Sequence, residues 1–254
     1  MTKINTIDEL FKLDDLRTKY CDENNLTALK YSYKKNTSII NFNTSDFWSE
    51  HLNNQYCTND PMRDDRIKTV RKMIDPDSIS LLNIGVGDGR LEVDLNRNKH
   101  LQELIGVDIT QTGLQKAMKR AKFNGVVGSI NQLPINKQFD TITILEVLEH
   151  LLFSQISNVM KEINRLLKPT GELIISVPIN EHYTSSFNPN GHLRRYSIKL
   201  ITNELIIHGF KPKETILLTA FNTHYKVKKI ISKIITNRWL PNVVIIKSKK
   251  INKP

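Results

Sequence analysis

The chain has 254 residues, 39% of them apolar and 25% charged, with 10 Gly and 9 Pro scattered along it. This excludes a low-complexity or wholly disordered chain and leaves room for one sizeable α/β core. No run approaches the roughly 18 apolar residues that span a bilayer, the N-terminus has no apolar leader-like stretch, and Cys21 and Cys57 lack metal-ligand spacing, so a cytoplasmic chain without a disulfide framework is expected. The formal net charge of +11 is uneven: from Lys211 to Pro254 eleven Lys and Arg face one acid, Glu214, so this segment carries +10 and everything before it only +1.

Residues 1–78 are rich in Asn, Asp and Lys and only weakly periodic, which suggests an N-terminal helical extension, with a second unit over 79–254. From Ser78 short β-rich runs alternate with helical ones: "SISLLNIGV", "RLEVDLNRN", "ELIGVDI", "GLQKAMKRA", "GVVGSI", "FDTITILEV", "ISNVMKEINRLL", "ELIISVP" and "SIKLITNELIIHG". Strands separated by helices predict right-handed crossovers and a doubly wound α/β parallel sheet. In "LLKPTGEL", Pro169 should stop a helix and Gly171 open the next strand. After Gly209, "ETILLTA" and "NVVIIKS" should close one sheet edge on either side of "HYKVKKIISKIITNRWL". There Val227, Ile230, Ile231, Ile234 and Ile235 fall at helical spacing among Lys228, Lys229 and Lys233. Such a run is usually a solvated face lying over the protein's own sheet; an anionic membrane surface, nucleic acid or a phosphorylated substrate are the alternatives.

The first strand runs into "GVGDGR", with glycines at 85, 87 and 89 ahead of a helix starting near Leu91. Glycines there let a ligand lie against bare backbone at a helix N-terminus. Arg90 occupies the place where a dinucleotide fingerprint wants a small residue, and no Gly-Lys-Ser/Thr ending is present, which argues against NAD and ATP. Asp108 ends the second strand about twenty residues on, where a carboxylate can take both hydroxyls of a ribose. A nucleoside-like ligand follows.

From residue 80 to 250 these features, with "VVGSINQLPI", "FDTITILEVLEHL" and "LLKPTGELIISVP" in order, resemble the class I S-adenosylmethionine-dependent methyltransferases. The resemblance implies a Rossmann-like, mostly parallel seven-stranded sheet, with 79–254 as the methyltransferase domain and S-adenosyl-L-methionine as cofactor. It further implies Asp108 on the ribose, Ile109 and Ile130 around adenine, and the backbone of Gly85, Gly87 and Gly89 facing the methionine part. Trp48 stands where related enzymes bring an N-terminal aromatic near the cofactor. Two departures are Asn83 and Ser129, each at a place where the family usually carries an acid; amide and hydroxyl still hydrogen-bond, more weakly than a full charge.

"LEVLEHL" ends the fourth strand with Glu146 at the ligand crevice, and places Glu149 and His150 on the first turn of the next helix, an i, i+3, i+4 set if helical geometry already holds at 146. One outcome is local: Glu149 favours the helix N-terminus and His150 bonds nearby. The other is a metal site, because ExxEH followed by a further His resembles the set of small-RNA 3′-terminal 2′-O-methyltransferases and appears in ubiquinone-pathway O-methyltransferases. Glu146, Glu149, His150 and His192, with His182 as substitute, would suit Mn²⁺, Fe²⁺, Co²⁺ or Zn²⁺. Without an ion, His150 or His192 is the candidate general base. Arg194 and Arg195 are candidates for an acidic acceptor group or the surface, and Ser197 for a helix N-cap. The expected function is methyl transfer to a hydroxyl of a small or lipid-like acceptor. Alternatives are a metal-dependent RNA 3′-terminal 2′-O-methyltransferase and a cofactor-binding protein without catalysis.

Overall fold

A computed structural model describes residues 44–55, 60–151, 153–181, 192, 194–221, 223–235 and 239–251. Cys21, Cys57 and the substitute ligand His182 lie outside them. In chain order the elements are α1 (Ser45–Gln55), α2 (Pro61–Met73), β1 (Ser80–Ile84), α3 (Arg90–Leu95), β2 (Glu103–Asp108), α4 (Gln111–Arg120) and β3 (Asn124–Val127). They continue with β4 (Phe139–Leu145), a 3₁₀ turn (Leu148–His150), α5 (Phe153–Leu166), β5 (Leu167–Pro178), α6 (Ile198–Ile207), β6 (Phe210–Leu218), α7 (Tyr225–Ile234) and β7 (Val243–Lys250).

The seven strands form one sheet in the order β3-β2-β1-β4-β5-β7-β6. β1 to β5 are parallel, and β7 and β6 add an antiparallel edge, as the β-rich runs after Gly209 suggest. Both faces are covered, so every residue of β1 is buried. Its alternation divides the core: Leu82 and Ile84 pack with Ile156, Val159, Met160 and Ile163 of α5 and Leu200 and Leu205 of α6, whereas Leu81 packs with Val70 and Met73 of α2 and Leu91 and Leu95 of α3. The described part of the extension therefore belongs to the core. α2 starts cleanly, with Pro61 at its first position and the Asp60 carboxylate accepting from the backbone of Met62 and Arg63 at 3.1 and 3.2 Å. Ser197 caps α6 as expected, accepting from Leu200 N at 3.1 Å.

Three local expectations change. β5 starts at Leu167, not Gly171, because its register with β4 slips between Phe139 and Thr141 and absorbs the Lys168–Thr170 segment, with Pro169 exposed where its missing N–H costs nothing. Glu149 and His150 sit on the separate 3₁₀ turn rather than on the first turn of α5, and Glu146 has φ +56°, so the three do not share a helix face. α7 does not lay its whole apolar side over the sheet: Val227, Ile230 and Ile234 are exposed, while Tyr225, Lys228, Lys229, Ile231 and Ser232 are half-buried. Among the described residues no helix is long and apolar enough to cross a membrane.

Candidate functional site

The chain turns sharply between β1 and α3 through three left-handed glycines, Gly85 (φ +84°), Gly87 (+58°) and Gly89 (+76°). Gly89 has no room for a side chain either, since a Cβ there would lie 2.7 Å from Ala117 Cβ of α4 and 2.9 Å from its Cα. The turn is tied to the end of β2: Gly87 N donates to Asp108 Oδ2 at 3.0 Å, while Oδ1 accepts from Thr110 N at 2.9 Å and Thr110 Oγ1 at 2.8 Å. Asp108 is thus oriented by its neighbours, and its carboxylate retains acceptor capacity for sugar hydroxyls. Arg90 finds its use here, bonding Asp88 in the loop at 2.9 Å and Asp64 of α2 at 2.8 Å.

Asn83 is turned inward. Its Oδ1 accepts from Thr143 Oγ1 at 2.8 Å and its Nδ2 donates to Glu92 Oε1 at 2.6 Å. Glu92 is fully buried, its Oε2 has no hydrogen-bond partner, and burial, with the charges of Asp88 and Asp108 adding, raises its pKa to about 7. Ile109 is exposed beside Asp108, whereas Ile130 is buried in the main core near Leu133 and Ile135. Ser129 is exposed, and its hydroxyl accepts from Asn131 N and Nδ2 at 3.4 and 3.3 Å.

At the end of β4, Glu146 accepts from Ser176 Oγ at 2.8 Å and lies 3.0 Å from Arg66 Nη1, an α2 residue that no motif singles out. Beyond it, one ligand atom each from Glu149, His150 and His192 fall within 4.8 Å of one another, all three residues buried. The structure thus brings together three of the four expected metal ligands, while Glu146 is engaged by Arg66 and Ser176. Neither oxygen of Glu149 has a hydrogen-bond partner among the described residues. Burial first, then the negative charges of Glu146 and Glu181, hold its pKa well above the usual carboxylate range, against Arg66. His150 Nε2 is 3.7 Å from Glu149 Oε1, and its ring meets Trp48 edge-on at 4.6 Å and His192 at 4.8 Å. Trp48 of α1 thus meets His150 directly.

His192 is held from behind. Its Nδ1 lies 2.8 Å from Glu181 Oε1, which favours the Nδ1–H tautomer and leaves the lone pair on Nε2. Arg194 N donates to Glu149 O at 3.0 Å, stitching the His192 segment to the 3₁₀ turn. The Arg194 side chain does not wait for an acidic acceptor: it forks onto Glu204 of α6, at 2.9 Å from Nη2 to Oε1, and also reaches Tyr196, whose hydroxyl donates to Glu204 Oε2 at 2.9 Å. Sequence reasoning missed Glu181, Arg66 and Glu92. Only Glu181 carried a signal, standing just past the carboxyl end of β5 where α/β sheets bind ligands.

A carboxylate at the end of β2 beside a left-handed glycine turn, in this strand order, defines a nucleoside-binding α/β fold. Residues 82–175 match the family model described as a methyltransferase domain. A ubiquinone biosynthesis O-methyltransferase of Candida albicans is 27% identical over 150 residues, 56% of this chain and 43% of that protein, so the chain spans less than half of that relative's length. A protein-lysine N-methyltransferase of Saccharolobus islandicus is 23% identical over 164 residues, 63% of this chain and 86% of that one. Among solved structures, the N-methyltransferase NodS of Bradyrhizobium japonicum, in complex with S-adenosyl-L-homocysteine, superposes with a TM-score of 0.62 at 16% identity over 83% of this chain and 100% of its own. Residues 82–175 thus carry a methyltransferase domain, on the fold that the S-adenosyl-L-homocysteine-bound neighbour shares.

Proposed function

We propose that the chain transfers a methyl group from S-adenosylmethionine to a hydroxyl of a small or lipid-like acceptor, with Glu149, His150 and His192 facing that hydroxyl. The observation that carries this is the meeting of two imidazoles and a buried carboxylate beyond the end of β4, beside the strand ends that carry the glycine turn and Asp108. The named relative that methylates a hydroxyl in ubiquinone biosynthesis supports an oxygen acceptor, while the lysine methyltransferase shows that the domain alone does not dictate one.

Methyl transfer is an in-line displacement at the sulfonium carbon, so the chain's task is to align, exclude water and remove one proton. The bared backbone of Gly85–Gly89 receives the amino-acid part, and Asp108 grips the ribose. A hydroxyl reacting as oxygen nucleophile gives up its proton as the C–O bond forms. His192 Nε2 takes it, and the Glu181 carboxylate on Nδ1 stabilises the resulting imidazolium. Trp48, edge-on to His150, narrows the entrance to water.

The same residues fit a divalent cation. A buried carboxylate without hydrogen bonds is costly, and a cation among one carboxylate and two imidazoles relieves that cost. Glu149, His150 and His192 would hold it, with Glu181 orienting His192, and when bound it would lower the pKa of an acceptor hydroxyl. This donor set is also what favours the second reading, a metal-dependent methyltransferase of RNA 3′-terminal 2′-hydroxyls.

Labelled methyl donor incubated with phenolic, lipid-like and RNA acceptors tests these roles. Transfer to oxygen should fall at least a hundredfold in Glu149→Gln and in His192→Ala, while cofactor affinity stays within about threefold. Methylation of nitrogen alone, or equal loss of binding and turnover, would remove the oxygen reading. Loss of turnover on chelation, restored by Mn²⁺ or Zn²⁺, supports the ion; indifference to chelators leaves the imidazole base.

A further inference from the structure

α7 is an amphipathic helix mounted with its apolar side outward. Val227, Ile230 and Ile234, at i, i+3 and i+7, are 56%, 63% and 77% exposed. Its inward side is held mainly by polar contacts: the Tyr225 hydroxyl donates to Asp65 Oδ2 at 2.8 Å and Lys229 Nζ reaches the same carboxylate, with Ile231 the half-buried apolar side chain among them. A helix that only covered its own sheet would show the opposite orientation, because apolar area gains most from burial. The apolar surface continues past the helix through Ile235, 44% exposed, and Leu240, 67% exposed, beside edge-to-face ring contacts of Trp239 with Phe221 at 5.5 Å and Phe221 with Tyr225 at 5.8 Å. Amphipathic aromatics at the edge of such a surface suit a headgroup boundary.

Position adds to orientation. α7 lies in the connection from β6 to β7, and β7 begins opposite Pro178, the carboxyl end of β5. That is the sheet edge from which Glu146 and Glu149 follow β4 and Glu181 follows β5. Asp65, which anchors α7, is the neighbour of Arg66, which holds Glu146 at 3.0 Å.

We infer that α7 is an interfacial helix that seats the mouth of the site on an anionic lipid bilayer. Apolar side chains would enter the acyl boundary while the connection from β6 to β7, residues 219–242, which holds Lys226, Lys228, Lys229, Lys233 and Arg238 and no acid, meets anionic headgroups. Charge argues for this occupant over a second copy, which would press two such acid-free basic connections together. The outward face of α7 itself is aliphatic, and the neighbouring rings pack edge-to-face on one another, whereas single-stranded RNA is bound on aromatic faces open to its bases. The corollary that the methyl acceptor is drawn from that bilayer rests on the proposed function; the docking itself does not.

Sedimentation of the full chain with vesicles of phosphatidylcholine alone, or mixed with phosphatidylglycerol, tests the inference. Binding should require phosphatidylglycerol, weaken severalfold on raising salt to about 0.5 M, and fall at least tenfold in Ile230→Asp/Ile234→Asp. That variant alters exposed positions only, and unchanged cofactor affinity by calorimetry shows it folded. No sedimentation with anionic vesicles, equal sedimentation of the variant, or a dimer abolished by the variant without any vesicle binding would each overturn the docking. RNA binding that survives the variant, with vesicles ignored, would do the same. Failure with vesicles leaves turnover of soluble acceptors untouched, whereas failure to bind the cofactor removes the proposed function and leaves the docking standing.

Discussion

Two buried acids, Glu92 and Glu149, are kept from water by different means and for different ends. Burial, with the negative charges of Asp88 and Asp108 adding, outweighs the hydrogen bond that Glu92 accepts from Asn83 and raises its pKa to about 7. The folded state therefore binds this proton between the ordinary 4.5 and about 7 while the unfolded chain has lost it, so stability falls as pH rises through that window and levels off above it. Glu92→Gln retains an acceptor for Asn83 and carries no charge; it should flatten this dependence and raise stability at pH 8 by about 3 kcal/mol, read by urea unfolding at pH 5 and pH 8. An unchanged slope would mean that Glu92 is not the titrating group. Asp108, at the carboxyl end of β2, is by contrast a well-bonded carboxylate. Asp108→Ala should weaken cofactor binding about a hundredfold in calorimetry, because charged bonds to ribose and the tether to Gly87 go together. Asp108 was legible in the sequence because its role follows from its place after a strand. Glu92's was not, because the partner of Asn83 lies on the following helix and only packing brings it over.

At the scale of elements, two junctions hold the site. The first is the contact of the loop before α3 with α4. Gly89→Ala meets both a left-handed backbone and the Ala117 backbone 2.9 Å away, and should cost about 3 kcal/mol, seen as a lowered urea midpoint with reduced cofactor affinity. The second is the buried fork of Arg194, Tyr196 and Glu204 beneath the His192 segment. Arg194→Ala leaves Glu204 buried without its cation and should cost about 3–5 kcal/mol, whereas Arg194→Met with Glu204→Leu should cost far less. If that apolar pair keeps stability but lowers turnover, the fork is what holds His192 in place; if both are kept, it is only packing. From the sequence the arginines stood open to an acceptor or to solvent, since nothing local announces a glutamate ten residues on across a helix turn.

At the scale of the whole molecule, the basic connection from β6 to β7 and the site share the carboxyl end of the parallel strands. The segment that carries nearly all of the net charge also builds the antiparallel edge and α7, and α2 links α7 to Glu146 through Asp65 and Arg66. Cofactor binding should stabilise the entire unit, since the loop, β2 and the helices α2–α4 are joined around it. At about a hundred times Kd the added stability is about 2.7 kcal/mol, a rise in Tm of several degrees by calorimetry. A Tm indifferent to S-adenosylmethionine would contradict a site at the glycine turn.

By itself the sequence determined the alternation of strands and helices, the nucleoside turn and its acid, because periodicity, glycine freedom and a strand's carboxyl end are properties of short segments. It also held the four candidate ligands, Glu146, Glu149, His150 and His192, without their arrangement. Tertiary structure decided that Glu149, His150 and His192 meet while Glu146 turns to Arg66, that Arg194 is internal, and that α7 shows its apolar face outward. These outcomes depend on which surfaces reach each other across the sheet, and a helical repeat is the same whichever side it presents.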